Sequence, residues 1–182
     1  MQTKNSYTDI GNSERFIKQH NNDVRFCPQD QKWLIWVGDR WMQDDSGQVF
    51  QKAKETAMAI EKEIDNIEDQ ELQKEIIAHC KRSQAWSRIN AMVKLAKTDP
   101  EIQIDIEALD TDPMLLNCQN GTIDLTTGEL LPHSREDYIT KSTQVPYDKS
   151  AQCPLWLAFL YKIMAGNQNT RPSLSSGLHL RR

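Results

Sequence analysis

The sequence predicts an α+β protein, with small antiparallel sheets and hairpins packed on a central group of amphipathic helices. Three observations carry this. Residues 24–47 alternate apolar and polar side chains and are punctuated by PQDQ, GD and DDSG, the pattern of short strands joined by turns. From Val49 the apolar residues recur with a helical period. After Pro100 the helical period is lost, and the pairs Asn120-Gly121 and Thr127-Gly128 mark tight turns.

Taken in order, DIGNSERFIKQH reads as a short helix capped by Asp9 or Asn12, with Phe16 and Ile17 facing the core. VRFCPQDQKWLIWVGDRWMQDDSG reads as two or three antiparallel strands. Trp33, Trp36 and Trp41 bring large apolar area to it. Such a cluster can stack on bases, but Trp33 and Trp36 fall on opposite faces of a regular strand, so core packing is the simpler role. Val49, Ala53, Ala57, Ile60, Ile64 and Ile67 form one helical stripe, which predicts a helix over 49–67. A second helical stretch spans 69–97 with a new start at Ser83, and Asp99-Pro100 ends it. EIQIDIEALDTDP reads as extended, LLNCQNGTIDLTTGELLPH as a hairpin, and GELLPHSREDYITKSTQVPYD as further short strands and loops. Pro154 opens a last helix, with Gly166 near its end and Trp156, Phe159, Leu160 and Ile163 on its buried side.

Composition narrows the function. The chain has 182 residues and a formal net charge of −4, so it lacks the strong basic excess of a dedicated nucleic-acid binder. Cys27, Cys80, Cys118 and Cys153 form no CxxC pair and read as reduced thiols. No signal peptide is evident, and no run approaches the roughly 20 apolar residues that cross a bilayer. A soluble cytoplasmic protein without membrane contact is expected.

Catalytic signatures are sparse. There is no GxxxxGK[ST] phosphate loop, no GxSxG elbow and no HExxH pair. His20, His79, His133 and His179 are scattered. Asp110 and Asp112 form a DxD that, on a strand, places both carboxylates on one face, as two-metal nucleotidyl transferases require. Asp112 also precedes Pro113, a turn arrangement. No catalytic residue and no metal ligand is assigned. Charge is more informative. Between Lys52 and Glu75 eight acidic residues face four basic ones, whereas between His79 and Lys97 stand Lys81, Arg82, Arg88, Lys94 and Lys97 with no acidic residue. These five are the candidate DNA contacts. A solvated helix face is the alternative.

TDIGNSERF, WLIWVGDRW, LDTDPMLLNCQNGTIDLTTGELLPH and CPLWLAFLYKIMAGN follow in an order that resembles phage and plasmid primase-helicases. The chain is similar to the domain preceding the superfamily 3 helicase motor, a domain shared with the poxvirus primase-helicase. The resemblance makes residues 1–167 an accessory N-terminal domain. It implies structural roles for Asn12, Arg15, Phe16, Trp33, Trp36, Trp41, Asn117, Asn120, Gly121, Asp124, Gly128 and Trp156. It implies weak, non-specific DNA contact, and the family's motor or neighbouring subunits of a hexamer as partners. No cofactor is expected in this chain, since ATP and Mg²⁺ belong to the downstream motor. Residues 168–182, QNTRPSLSSGLHLRR from Gln168 on, depart from the family and are expected to form a disordered tail, which implies a chain cut short before the motor. Two readings stay open beside this one: an oligomerisation module without DNA contact, and a metal-dependent nucleotidyl transferase.

Overall fold

The computed structural model describes residues 7–164; the expected tail and Gly166 lie outside them. Among the described residues are five α-helices and two three-stranded antiparallel sheets, an α+β fold. The described residues form two compact units, residues 7–37 with 41–109, and residues 38–40 with 110–164.

The first unit begins with α1 (Asp9–His20). Its cap is Thr8, whose hydroxyl accepts from the Gly11 amide, and not Asp9 or Asn12. Asp9 is already helical, and Asn12 is only 1% exposed because its amide is used deeper in the unit. Strands β1 (Val24–Cys27), β2 (Lys32–Trp36) and β3 (Trp41–Gln43) form a meander with Val24 opposite Ile35 and Trp36 opposite Trp41. Trp33 packs against Phe16 and Phe26, while Trp36 lies edge-on to the fully buried Trp41. The Arg25 guanidinium covers the other ring of interest, lying 5.3 Å from the Trp41 ring centre.

The helix expected over 49–67 stops early. α2 runs Gln48–Ala59, and Ile60–Asn66 tightens into a 3₁₀ segment. Apolar residues spaced three and four apart suit either helix type, so the periodicity does not reveal the change. Arg15 grips Glu63 in this segment through two bonds, Nε–Oε1 2.5 Å and Nη2–Oε2 2.8 Å. α3 (Gln70–Ser83) is capped by Asp69, and α4 (Trp86–Ala96) follows a short turn. Ser83 therefore ends a helix and does not start one. α4 packs on α1 and α2, burying Ile89, Met92, Val93 and Ala96 against Phe16, Ala53 and Ala57.

A buried polar cluster joins α1 to α3. Asn12 Nδ2 donates to Ser83 Oγ at 2.9 Å, and Asn12 Oδ1 lies 2.9 Å from His79 Nε2, which is also 3.2 Å from Ser83 Oγ. Burial, then the positive charges of Arg15 and Arg82, hold His79 below its ordinary value of 6.5; burial and then Lys52 do the same to His20. Folding thus disfavours the charged form of both imidazoles, and the unfolded chain binds more protons on acidification. Stability is full above the unfolded value of 6.5 and declines as pH falls below it. Urea melts at steps between neutral and mildly acidic pH check this; His79→Gln should flatten the decline.

Residues 100–113 are not one extended segment. Ile102–Ile104 runs parallel to β1 through Phe26 N to Ile102 O (2.9 Å) and Ile104 N to Phe26 O (3.0 Å), and Ile106–Ala108 then coils into a 3₁₀ turn. Asp105 caps that turn through the Glu107 amide, which strand geometry would not allow.

In the second unit β4 (Leu115–Cys118), β5 (Gly121–Asp124) and β6 (Glu129–Leu131) form the second meander. Its first turn is Gln119-Asn120, one residue earlier than the Asn-Gly pair suggests, because Gly121 already pairs with Cys118. Cys118, Ile123 and Tyr147 form the core, with Leu116 and Leu125 against it. Beyond β6, residues 132–152 hold no strand. Their backbone bonds to β4 and its turn include Thr143 N to Asn117 O at 2.9 Å and Gln119 N to Val145 O at 3.1 Å.

α5 (Pro154–Met164) corrects a further expectation. Trp156, Phe159 and Ile163 do not form a buried side: they are 55%, 50% and 61% exposed, with Leu155 at 87%. The helix is apolar almost all round, so any side that packs leaves apolar residues on the other. Here Leu157 and Leu160 are the half-buried ones.

Candidate nucleic-acid interface

The five candidate cations do not lie in one helical register, since residues 84–85 break the helix between α3 and α4. The Ala85 amide bonds to Arg82 O at 3.2 Å, closing a tight corner. Lys81 and Arg82 are exposed on the last turn of α3, and residues 84–88 are exposed throughout. On α4 the helical repeat of 100° per residue separates Arg88 from Lys94. Arg88 turns towards α1 and bonds Asp9 Oδ2 at 2.7 Å. Lys94 is exposed on the other side. Lys97 closes α4 and holds its ammonium 4.6 Å from the Phe26 ring centre. Lys81, Arg82 and Lys94 form no ion pair among the described residues. The structure therefore brings Lys81 and Arg82 to one corner, partly neutralises Arg88, and sets Lys97 apart.

One neighbour escaped the sequence reading. Trp86 opens α4 with 67% of its surface exposed and stacks on Phe50 of α2, ring centres 5.5 Å apart and planes 21° from parallel. The sequence carried the ring but not its exposure: Trp86 stands three and seven residues before Ile89 and Val93, at the edge of the apolar stripe, where spacing alone predicts burial. The Asn12–His79–Ser83 cluster left no signal either, because Asn12 stands 67 positions before His79.

The polar hairpin is occupied by its own turns. The Asp124 carboxylate accepts from the Thr126 amide at 2.7 Å, and the amide of Gly128, whose φ is 73°, bonds Asp124 O at 2.7 Å. The Thr126 amide holds the Asp124 carboxyl below the ordinary carboxylate range. Asn120 clamps Tyr147 on both sides, Nδ2 to Tyr147 O at 3.0 Å and Tyr147 N to Oδ1 at 2.8 Å. Asn117 Nδ2 donates to the carbonyls of Asp39 and Lys141, each at 3.0 Å.

The DxD pair is not on a strand. Asp110 has a φ of 53°, and Asp112 caps a turn through the Met114 amide at 2.8 Å. Burial alone would raise the Asp110 carboxyl; the Thr140 hydroxyl and amide, with Lys141, outweigh it and leave the group below its ordinary value. A strand-based pair of carboxylates on one face is thereby ruled out for this conformation. Among the described residues no group of three or more His, Cys, Asp or Glu is arranged to hold a metal ion. No helix among them is long and apolar enough to cross a membrane.

The fold by itself defines only the class α+β, five helices with two small antiparallel sheets among the described residues. Residues 13–165 match the family model described as D5 N terminal like, and the chain belongs to that family, the domain on the N-terminal side of the superfamily 3 helicase in phage, plasmid and poxvirus primase-helicases. Comparison with curated proteins gives no match.

Proposed function

We propose that this chain is the accessory N-terminal domain of a phage- or plasmid-type replicative DNA helicase, and that it engages DNA weakly and without sequence preference while helping a ring assemble. The observation that carries the reading is the acid-free stretch from His79 to Lys97, which presents Lys81, Arg82 and Lys94 to solvent without ion-pair partners among the described residues. A phosphate backbone is attracted to such a surface and repelled by the acidic stretch before it. In this reading ATP and Mg²⁺ serve the helicase motor, and the host compartment is the cytoplasm.

With about two to four phosphate contacts, the affinity falls with salt at a log–log slope of roughly −2 to −4. Replacing Lys81 and Arg82 together by alanine weakens binding at every sequence alike and flattens the slope by about two units. Replacing Arg88 has a smaller effect, because Asp9 already neutralises it. Binding that ignores both salt and the double replacement would sink the DNA reading.

A second reading rests on α5. Its exposed Leu155, Trp156, Phe159 and Ile163 suit contact with another protein surface, the motor or a neighbouring subunit. Self-association in sedimentation, without any DNA affinity, would place that reading first.

A further inference from the structure

We infer that the Trp86–Phe50 pair is a base-stacking platform, so that the nucleic acid this corner takes is single-stranded; the inference rests on the DNA reading above.

The argument starts from the ring itself. An indole with two-thirds of its surface in water gives up burial that the Ile89, Met92, Val93 and Ala96 side of α4 enjoys. Trp86 is nevertheless held in place, since Phe50 backs one face in a near-parallel stack. Phe50 is in turn anchored by its packing against the core of α1, α2 and α4. The result is a supported ring with solvent around most of it, which a base can cover at little cost in side-chain ordering.

The surroundings choose the occupant. On α4, Trp86, Asn90 and Lys94 recur at i, i+4 and i+8, one side of the helix. On α2, Lys54 is exposed one turn beyond Phe50. Arg82 lies across the tight corner, four residues before Trp86. No acidic residue stands between His79 and Lys97. Asp44, near the start of α2, is spent as that helix's cap, with its two oxygens on the Gln48 and Val49 amides at 2.8 and 2.9 Å. Glu55 falls about 140° around α2 from Phe50. An aromatic face rimmed by cations fits a polyanion that carries planar groups. In a duplex those planar faces are stacked inside, whereas in a single strand they are free.

The test compares the full chain with Trp86→Ala and Trp86→Phe, by fluorescence anisotropy of a labelled oligothymidylate and of a duplex of equal length. Trp86→Ala should bind the single strand about 5- to 100-fold more weakly and the duplex unchanged, and Trp86→Phe should keep most of the single-strand affinity. Thermal melts confirm that both variants fold, as the exposure of Trp86 leads one to expect. Equal loss on both nucleic acids, or none on either, overturns the platform and leaves the basic corner standing. If the unaltered chain binds neither probe, the DNA reading falls and the platform with it. A Trp86→Ala variant whose DNA binding is unchanged but whose self-association is lost makes Trp86 a protein contact and overturns the inference.

Discussion

Gly121→Val is expected to unfold the second unit's sheet while Asp124→Asn leaves it folded. Gly121 opens β5 with a φ of 151°, a conformation that side-chain-bearing residues rarely adopt. A Cβ there would stand 2.5 Å from the Leu131 carbonyl oxygen and 2.8 Å from Leu130 Cδ1. The first is backbone of β6 and cannot move without breaking the Thr122–Leu131 pairing. Backbone strain of about 1–2 kcal/mol and forced overpacking of about 1–3 kcal/mol add to roughly 2–5 kcal/mol, a large share of a typical unit's stability. Asp124 differs because an amide oxygen can still accept from Thr126. Hydrogen exchange over residues 115–131 reads the difference directly. The reverse ranking, with Gly121→Val well protected and Asp124→Asn unprotected, would show that the Asp124 carboxylate and not the Gly121 backbone holds the sheet.

Asn12→Ala should destabilise the first unit by about 2–4 kcal/mol. The change removes the donor to Ser83 Oγ and the acceptor facing His79 Nε2, all three residues lying at or below 5% exposure. His79 and Ser83 keep each other, at 3.2 Å, but a buried polar group is left short of a partner and a cavity opens beside it. Asn12→Asp makes a sharper comparison. A carboxylate beside His79 favours the imidazolium, so this variant should lose less stability than the parent when the pH is lowered below 6.5. Urea denaturation at neutral and mildly acidic pH measures both effects. Two variants with parental stability at neutral pH would show that the cluster contributes nothing.

The period changes along the chain were enough to read the class and most elements. β2 and β3 follow from alternation around Trp33, Trp36 and Trp41, and α4 from Ile89, Met92, Val93 and Ala96, because each pattern is a one-sided requirement for burial. The misses have one kind of cause. Thr8 against Asp9 or Asn12 as cap, and Gln119-Asn120 against Asn120-Gly121 as turn, are choices between neighbours with similar local chemistry. Pairing across the sheet and burial of Asn12 decided them. The side of α5 that is covered was equally illegible, since Leu155, Trp156, Leu157, Phe159 and Leu160 leave no polar face to orient it.

What the sequence determined by itself is the α+β class, the absence of a GxxxxGK[ST] loop, the acid-free run of cations and the motif order of the D5 N-terminal-like family. These depend on residue type and spacing along one chain. Only the tertiary structure decided that Arg88 is bonded to Asp9, that Lys97 covers Phe26, that Asp110 is held by Thr140, and that Trp86 stands in solvent on Phe50. Each of these joins residues 30 or more positions apart. Which charge is free and which ring is bare depends on the partner that packing brings, and no local pattern carries that information.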